Sequence, residues 1–297
     1  MPIWDGLALS LHNGNANSKL MRVISKPLIL LLVIFLVATY GEAKELKVAV
    51  SGSSTVMPLA GLAAEEFNIL QDKYHVSVTS GGTGVGIVDV AEGRSDIAMA
   101  SREVQLAERQ RYETPSVKFM EYSVGFDAIC LVVSPDVYDS GVTSLTKDEV
   151  KQIFAGDITN WEDVGGPEME IFVIGRKPGS GTRDTFNEII LGSKEAESPG
   201  VTIDAWDSSE VKTAIRGSDS AIGYMGYSYV MRGDVDVVAL DGISPTIDNI
   251  KNETYPLARK LFFYTVGEPN PGAKAFLDYV LSPDGQKIAI ENGFIPV

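Results

Sequence analysis

The chain is poor in the residues on which much protein chemistry depends. Cysteine occurs once, as Cys130, and histidine twice, as His12 and His75. A lone cysteine excludes an intrachain disulfide, and its place in the apolar run Ala128–Val133 suits a small core residue. With one Cys and, past Ala43, one His, the ligands of a zinc or iron centre are missing. Positive charge is scarce as well: 25 Lys and Arg face 40 Asp and Glu, for a formal net charge of −15. Such an acidic surface argues against nucleic acid or anionic lipid as a partner. Residues 1–43 contribute +1, so the remainder carries −16, and any small anion must be held by local donors rather than by the overall field.

The longest uninterrupted apolar run is Leu28–Ala38, which follows Arg22 and Lys26. It is too short to span a bilayer but suits the core of a signal peptide. Gly41-Glu42-Ala43 then places small residues at the −3 and −1 positions, so export with cleavage near Ala43 is expected. Met21 is an alternative start, and an uncleaved anchor is the alternative fate of the segment. No cysteine stands at the processing site, so lipid attachment is not expected. Export without disulfides suits a periplasm or another extracytoplasmic surface, and about 250 residues remain to bury a core.

Beyond that segment, strands alternate with helices. Glu45–Val50 reads as a strand, followed by a helix with Leu59, Leu62, Ala63, Phe67 and Leu70 on one face and Pro58 in its first turn. His75–Thr79 and Asp96–Ala100 are further strands, with a short helix between Val85 and Gly93. All three strands end in small or hydroxyl-bearing turns: Ser51–Thr55, Ser80–Gly84 and Ser101-Arg102. Such alternation implies a mainly parallel sheet, whose ligands gather at the carboxyl ends of its strands. Phe119–Ser134 and Tyr255–Val266 are long, extended and apolar, and are expected to carry the chain into a second lobe and back. The expected division is 44–122 in lobe 1, 123–258 in lobe 2 and 259–297 again in lobe 1. In the second lobe Thr146 and Glu149 form a capping box for a helix over Leu145–Phe154, and Ser208–Ile215 is a further helix.

The most informative stretch is Gly175-Arg176-Lys177-Pro178-Gly179-Ser180-Gly181-Thr182-Arg183-Asp184. It follows the apolar run Ile171–Ile174 and precedes a helical pattern through Phe186, Ile189, Ile190 and Leu191. The first amides of a helix have no internal partner, and the helix dipole adds partial positive charge there. Such an end suits an anion, and Arg176 adds a fork matched to two phosphate-like oxygens. The alternative is a helix cap beside a solvated arginine.

In order, Gly52-Ser53-Ser54-Thr55…Pro58, Ser80-Gly81-Gly82-Thr83-Gly84, Asp96–Arg102, Leu145-Thr146…Ile158-Thr159-Asn160-Trp161, Arg176…Gly179-Ser180-Gly181-Thr182-Arg183…Phe186 and Gly223-Tyr224 resemble the phosphate-binding component of phosphate ABC transporters. The resemblance covers nearly all of residues 46–297. It implies a type II periplasmic-binding-protein fold, α/β, with two lobes joined by two crossover strands and closing on inorganic phosphate. By motif, Ser53, Ser54, Thr55, Gly81, Gly82, Thr83 and Ser101 would contact phosphate from the first lobe. Arg176, Ser180, Gly181 and Thr182 would contact it from the second. The implied partner is the membrane permease of an ABC importer, with the binding protein itself a monomer and without a cofactor. One departure stands out: many members carry an aspartate where this chain has Ser101, and that carboxylate would accept the phosphate's remaining proton.

Other readings fit less well. A serine hydrolase needs a base beside its nucleophile, and His75 lies away from the serine-rich turns. Pro178 also breaks the Gly-x-Ser-x-Gly pattern around Ser180. Neither dinucleotide nor P-loop glycine spacing occurs at the turns. Asp157, Glu162 and Asp163 lack the spacing of a calcium loop and read as solvated turn residues. A protein for another tetrahedral oxyanion (sulfate, molybdate or tungstate) and a stand-alone phosphate sensor remain as alternatives. No catalytic residue and no metal ligand is expected.

Overall fold

The computed structural model describes residues 46–231 and 233–297. The expected signal segment and its cleavage point lie outside the described residues.

Among the described residues, ten strands form one continuous, curled sheet with the path β2-β1-β3-β10-β4-β8-β6-β7. They are β1 (Leu46–Gly52), β2 (Tyr74–Ser80), β3 (Ile97–Ala100), β4 (Phe119–Val133), β5 (Ser144–Leu145), β6 (Phe172–Arg176), β7 (Ile203–Ala205), β8 (Ala221–Gly226), β9 (Asp236–Leu240) and β10 (Ala258–Val266). Within each half the pairing is parallel: β1 with β2 and β3, and β6 with β7 and β8. The long strands are antiparallel to both halves. Residues 119–128 of β4 pair with β10, and Ile129–Val133 pair with β8. So β4 and β10 are the two crossings.

Each half has its own core, which makes it a lobe. One collects Val48, Leu59, Ile97, Leu261, Phe263 and Phe276. The other collects Leu131, Ile153, Trp161, Phe186, Tyr224 and Val238. The helices used below are α1 (Met57–Leu70), α2 (Thr83–Ala91), α3 (Leu106–Tyr112), α4 (Lys147–Ala155), α5 (Gly181–Phe186), α6 (Ser208–Arg216), α7 (Tyr227–Val230), α8 (Pro271–Val280) and α9 (Pro283–Glu291). Helix α4 begins with the reciprocal capping box of Thr146 and Glu149. A π-helical turn over Asn187–Leu191 continues α5.

The buried face of α1 differs from the expectation. It presents Leu59, Ala60, Ala63, Ala64 and Phe67, whereas Leu62 and Leu70 are exposed. The alanines let the helix lie close to β2, α8 and α9, and the larger leucines fall outside that tight seam.

Candidate functional site

Parallel pairing puts the carboxyl ends of β1, β2 and β3 side by side: Gly52 lies opposite both Ser80 and Met99. The three turns that follow therefore open onto one edge of lobe 1. Across from them, β6 delivers Arg176 and the turn before α5 from lobe 2. Phe186 stacks on Tyr224 with ring centroids 4.0 Å apart and planes 8° apart, and Phe154 leans on both. That aromatic cluster anchors α5, and with it Ser180–Thr182, against the sheet.

Most of the expected residues meet in this cleft. Ser54 Oγ accepts from Arg176 Nη2 at 3.2 Å. The hydroxyls of Thr55 and Thr182, from opposite lobes, lie 2.9 Å apart. Thr83 and Ser101 hydroxyls lie 3.3 Å apart, and the Ser101 amide donates to Thr83 Oγ1 at 3.1 Å. Ser180 Oγ caps α5 by accepting the Arg183 amide at 3.2 Å, which leaves its hydrogen free to donate. The Gly181 and Thr182 amides open that helix and have no intrahelical acceptor. Gly181 is required by proximity: a Cβ there would collide with Thr83 Oγ1 and lie 2.7 Å from Ser101 Oγ.

Three expected residues shape the turns through their amides. Gly81 and Gly82 both donate to Gly52 O at 2.9 Å, and Ser53 donates to Met99 O at 2.9 Å. These bonds tie the β1, β2 and β3 turns to one another, so those three amides point into lobe 1.

The electrostatics centre on Arg176, which is 1% exposed. Its guanidinium donates to Ser208 Oγ, Ser54 Oγ and the Trp206 carbonyl at 3.2–3.3 Å, and its Nε has no partner. All three acceptors are neutral. Burial pushes this guanidinium below its ordinary pKa, which the nearby Tyr224 and Asp207 only partly offset. An arginine stays charged nonetheless, so the fold holds a buried cation with no anion hydrogen-bonded to it. That is the arrangement expected of a site that takes its counter-ion from solution.

Two further buried arginines were not anticipated. Arg259 of β10 stands opposite Asp127 of β4 and donates to its Oδ2 from Nη2 at 2.8 Å. It also reaches Thr55 Oγ1, Thr182 Oγ1 and the Ser101 carbonyl at 3.1–3.4 Å. Arg102, at the end of β3, donates to Asp184 across the cleft at 2.7 Å and to both oxygens of Glu108 at 2.9 Å. Burial raises the Asp184 carboxyl, and Arg102 opposes that rise. Asp184 is thus engaged by an arginine and not free to take a proton from a ligand. For Arg259 and its partner a signal was present in the sequence: Asp127 is the one charge in the apolar run 124–133, and Arg259 and Lys260 are the charges in the run 257–266.

The lobes touch directly at several points. Gly84 donates its amide to Gly179 O at 2.9 Å, and Tyr229 donates its hydroxyl to Ser54 O at 2.7 Å. With Arg102–Asp184 and Thr55–Thr182, these bonds describe a closed cleft. Among the described residues no cluster of three or more Cys, His, Asp or Glu has the geometry of a metal site.

Two α/β lobes, two crossing strands and a closed, donor-lined cleft between them define a type II periplasmic binding protein. The model of the PBP superfamily domain matches residues 38–284. The phosphate-binding protein PstS of Bacillus subtilis is 36% identical over 84% of this chain and 80% of its own length. SphX of Synechococcus elongatus is 31% identical over 86% of this chain and 79% of its own. Among solved structures, a substrate-binding protein of a phosphate ABC transporter from Clostridium perfringens, with bound phosphate, superposes with a TM-score of 0.77. It is 32% identical and is matched over 84% of this chain and 99% of its own. The chain belongs to the PBP superfamily and, within it, to the PstS family. It is a solute-binding protein and not an enzyme.

Proposed function

We propose that the protein binds one inorganic phosphate in the closed cleft, outside the cytoplasm, and delivers it to the permease of an ABC-type importer. The observation that carries this reading is Arg176, a buried guanidinium whose partners are all neutral, facing donors from both lobes. The contacts are Ser54, Thr55, Thr83 and Ser101 from one lobe and Arg176, Ser180, Gly181 and Thr182 from the other. Ser53, Gly81 and Gly82 shape the turns. The protein acts as a monomer after cleavage near Ala43, without lipid attachment, and its lobes run 44–122 with 259–297 and 123–258. The relatives named for phosphate binding support the choice of ligand. One observation favours a second reading, a broader oxyanion specificity: Ser101 supplies a hydroxyl where a carboxylate would repel sulfate. Equilibrium dialysis with labelled phosphate tests both. The expected result is one phosphate per chain, displaced by sulfate or molybdate only at large excess; equal displacement by sulfate supports the broader reading, and no bound phosphate rejects both.

A further inference from the structure

The Ser53–Thr55 turn of lobe 1 is held from two directions. The Ser53 amide donates to Met99 O at 2.9 Å, and the Ser53 carbonyl accepts the Val56 and Met57 amides at 3.2 and 3.1 Å as α1 begins. Those bonds stay within lobe 1. The Ser54 carbonyl is taken from lobe 2 instead, by the Tyr229 hydroxyl at 2.7 Å. A trans peptide is planar, so a bond to that carbonyl sets the plane that joins Ser54 to Thr55. These are the two residues whose hydroxyls meet Arg176 and Thr182 in the cleft.

Tyr229 is itself braced. Strand β8 runs directly into α7, and Tyr227, at the head of α7, donates its amide to Asp127 Oδ1 at 2.9 Å. Asp127 belongs to the crossing strand β4, with Arg259 of β10 on its other oxygen. Lys212 of α6 donates to the Tyr229 carbonyl at 2.8 Å and pairs with Asp234 at 2.6 Å. Where β8 meets α7 the lobes lie in close contact: a Cβ on Gly226 would stand 2.8 Å from Thr55 Cγ2. Helix α7 thus reaches lobe 1 as a short arm fixed to a crossing strand.

We propose that Tyr229 is a positioning residue that latches the Ser54–Thr55 peptide once the lobes have closed, and so slows the release of the bound anion. The inference rests on the phosphate reading above and deepens it. A phenol has one hydrogen, and that of Tyr229 is engaged by Ser54 O, so none is left to give to an anion. Tyr229 therefore acts through the turn and not on the ligand. The bond spans two lobes and forms only when they meet. It stabilises the closed complex, not the open protein that phosphate first encounters, so it governs the off-rate and leaves the on-rate alone. Burial pushes Tyr229 up to about 12, so the hydroxyl keeps its hydrogen throughout the neutral range.

The test is Tyr229→Phe, which keeps the ring and removes only the hydroxyl. Uptake of labelled phosphate and its release into an unlabelled chase give the two rates, and a thermal melt without ligand reports on the fold. In the variant the Ser54 carbonyl, on a residue 5% exposed, is closed into the cleft without its donor. Release should quicken by about tenfold, equivalent to about 1.4 kcal/mol. Uptake and the melting temperature of the empty protein should stay at their wild-type values. An unchanged release rate overturns the proposal. A variant that melts well below the wild type when empty, or that loses uptake as much as it gains release, also overturns it and makes Tyr229 a structural residue. A wild type that binds no phosphate overturns the phosphate reading and this inference with it, whereas phosphate binding with wild-type release in the variant overturns this inference alone.

Discussion

Replacing Arg176 by methionine separates its two effects on the protein. Methionine retains much of the apolar stem but removes the charge. In the bound state the lost partner is one half of a buried ion pair, whose truncation typically costs about 2–5 kcal/mol. Phosphate affinity should therefore fall by about 30-fold to several thousand-fold. In the empty protein the balance runs the other way. Arg176 has only neutral partners and an unpaired Nε, so removing it relieves a buried, uncompensated cation. Without phosphate, Arg176→Met should unfold at a temperature no lower than the wild type. Thermal melts with and without ligand read both effects at once. At about 100 times the wild-type Kd, phosphate stabilises the wild type by about 2.7 kcal/mol, and a 30-fold weaker variant by less than about 1 kcal/mol. A variant that melts much lower when empty yet retains its ligand-induced shift would refute the reasoning. Arg176 would then be a structural residue.

Three further outcomes follow from the same geometry. Gly181→Ala should leave the empty protein folded but hold the lobes apart, because the added methyl meets Thr83 and Ser101 only in the closed state; small-angle scattering with saturating phosphate should show no compaction. Asp184→Asn should weaken the Arg102 contact that spans the cleft, raising the phosphate off-rate more than it lowers the on-rate, as stopped-flow measurement would show. Ser101→Asp should raise the ratio of phosphate to sulfate affinity, since a carboxylate accepts the phosphate's proton and faces sulfate unpaired; a variant that merely loses phosphate would mean that another acceptor sets selectivity.

Much of the cleft was legible in the sequence because its parts are local. A strand, a turn of Gly, Ser and Thr, and a helix start are contiguous in the chain, and the parallel pairing implied by alternation brings such turns to one edge. Both crossings were legible as long apolar runs, for the same reason. What lay outside that reach depends on contacts between distant segments. Arg259 meets Thr55 across 204 residues of sequence, and no local pattern marks that meeting. The amides of Gly81 and Gly82 turn back to Gly52 O, a detail of turn geometry that composition does not record. Strands β7 and β9 went unanticipated because Ile203–Ala205 is very short and Asp236–Leu240 begins on a charged residue after a turn. The exposed Leu62 and Leu70 show the limit of reading a helix face by residue size, since close packing there selects alanine.

A buried arginine with neutral partners awaits an anion between the lobes. Calorimetric titration of inorganic phosphate into the wild type and Arg176→Met tests it most directly. The expected result is one phosphate per wild-type chain and a loss of at least about 30-fold in the variant. Equal affinity in the two proteins, or no heat of binding in the wild type, would contradict it.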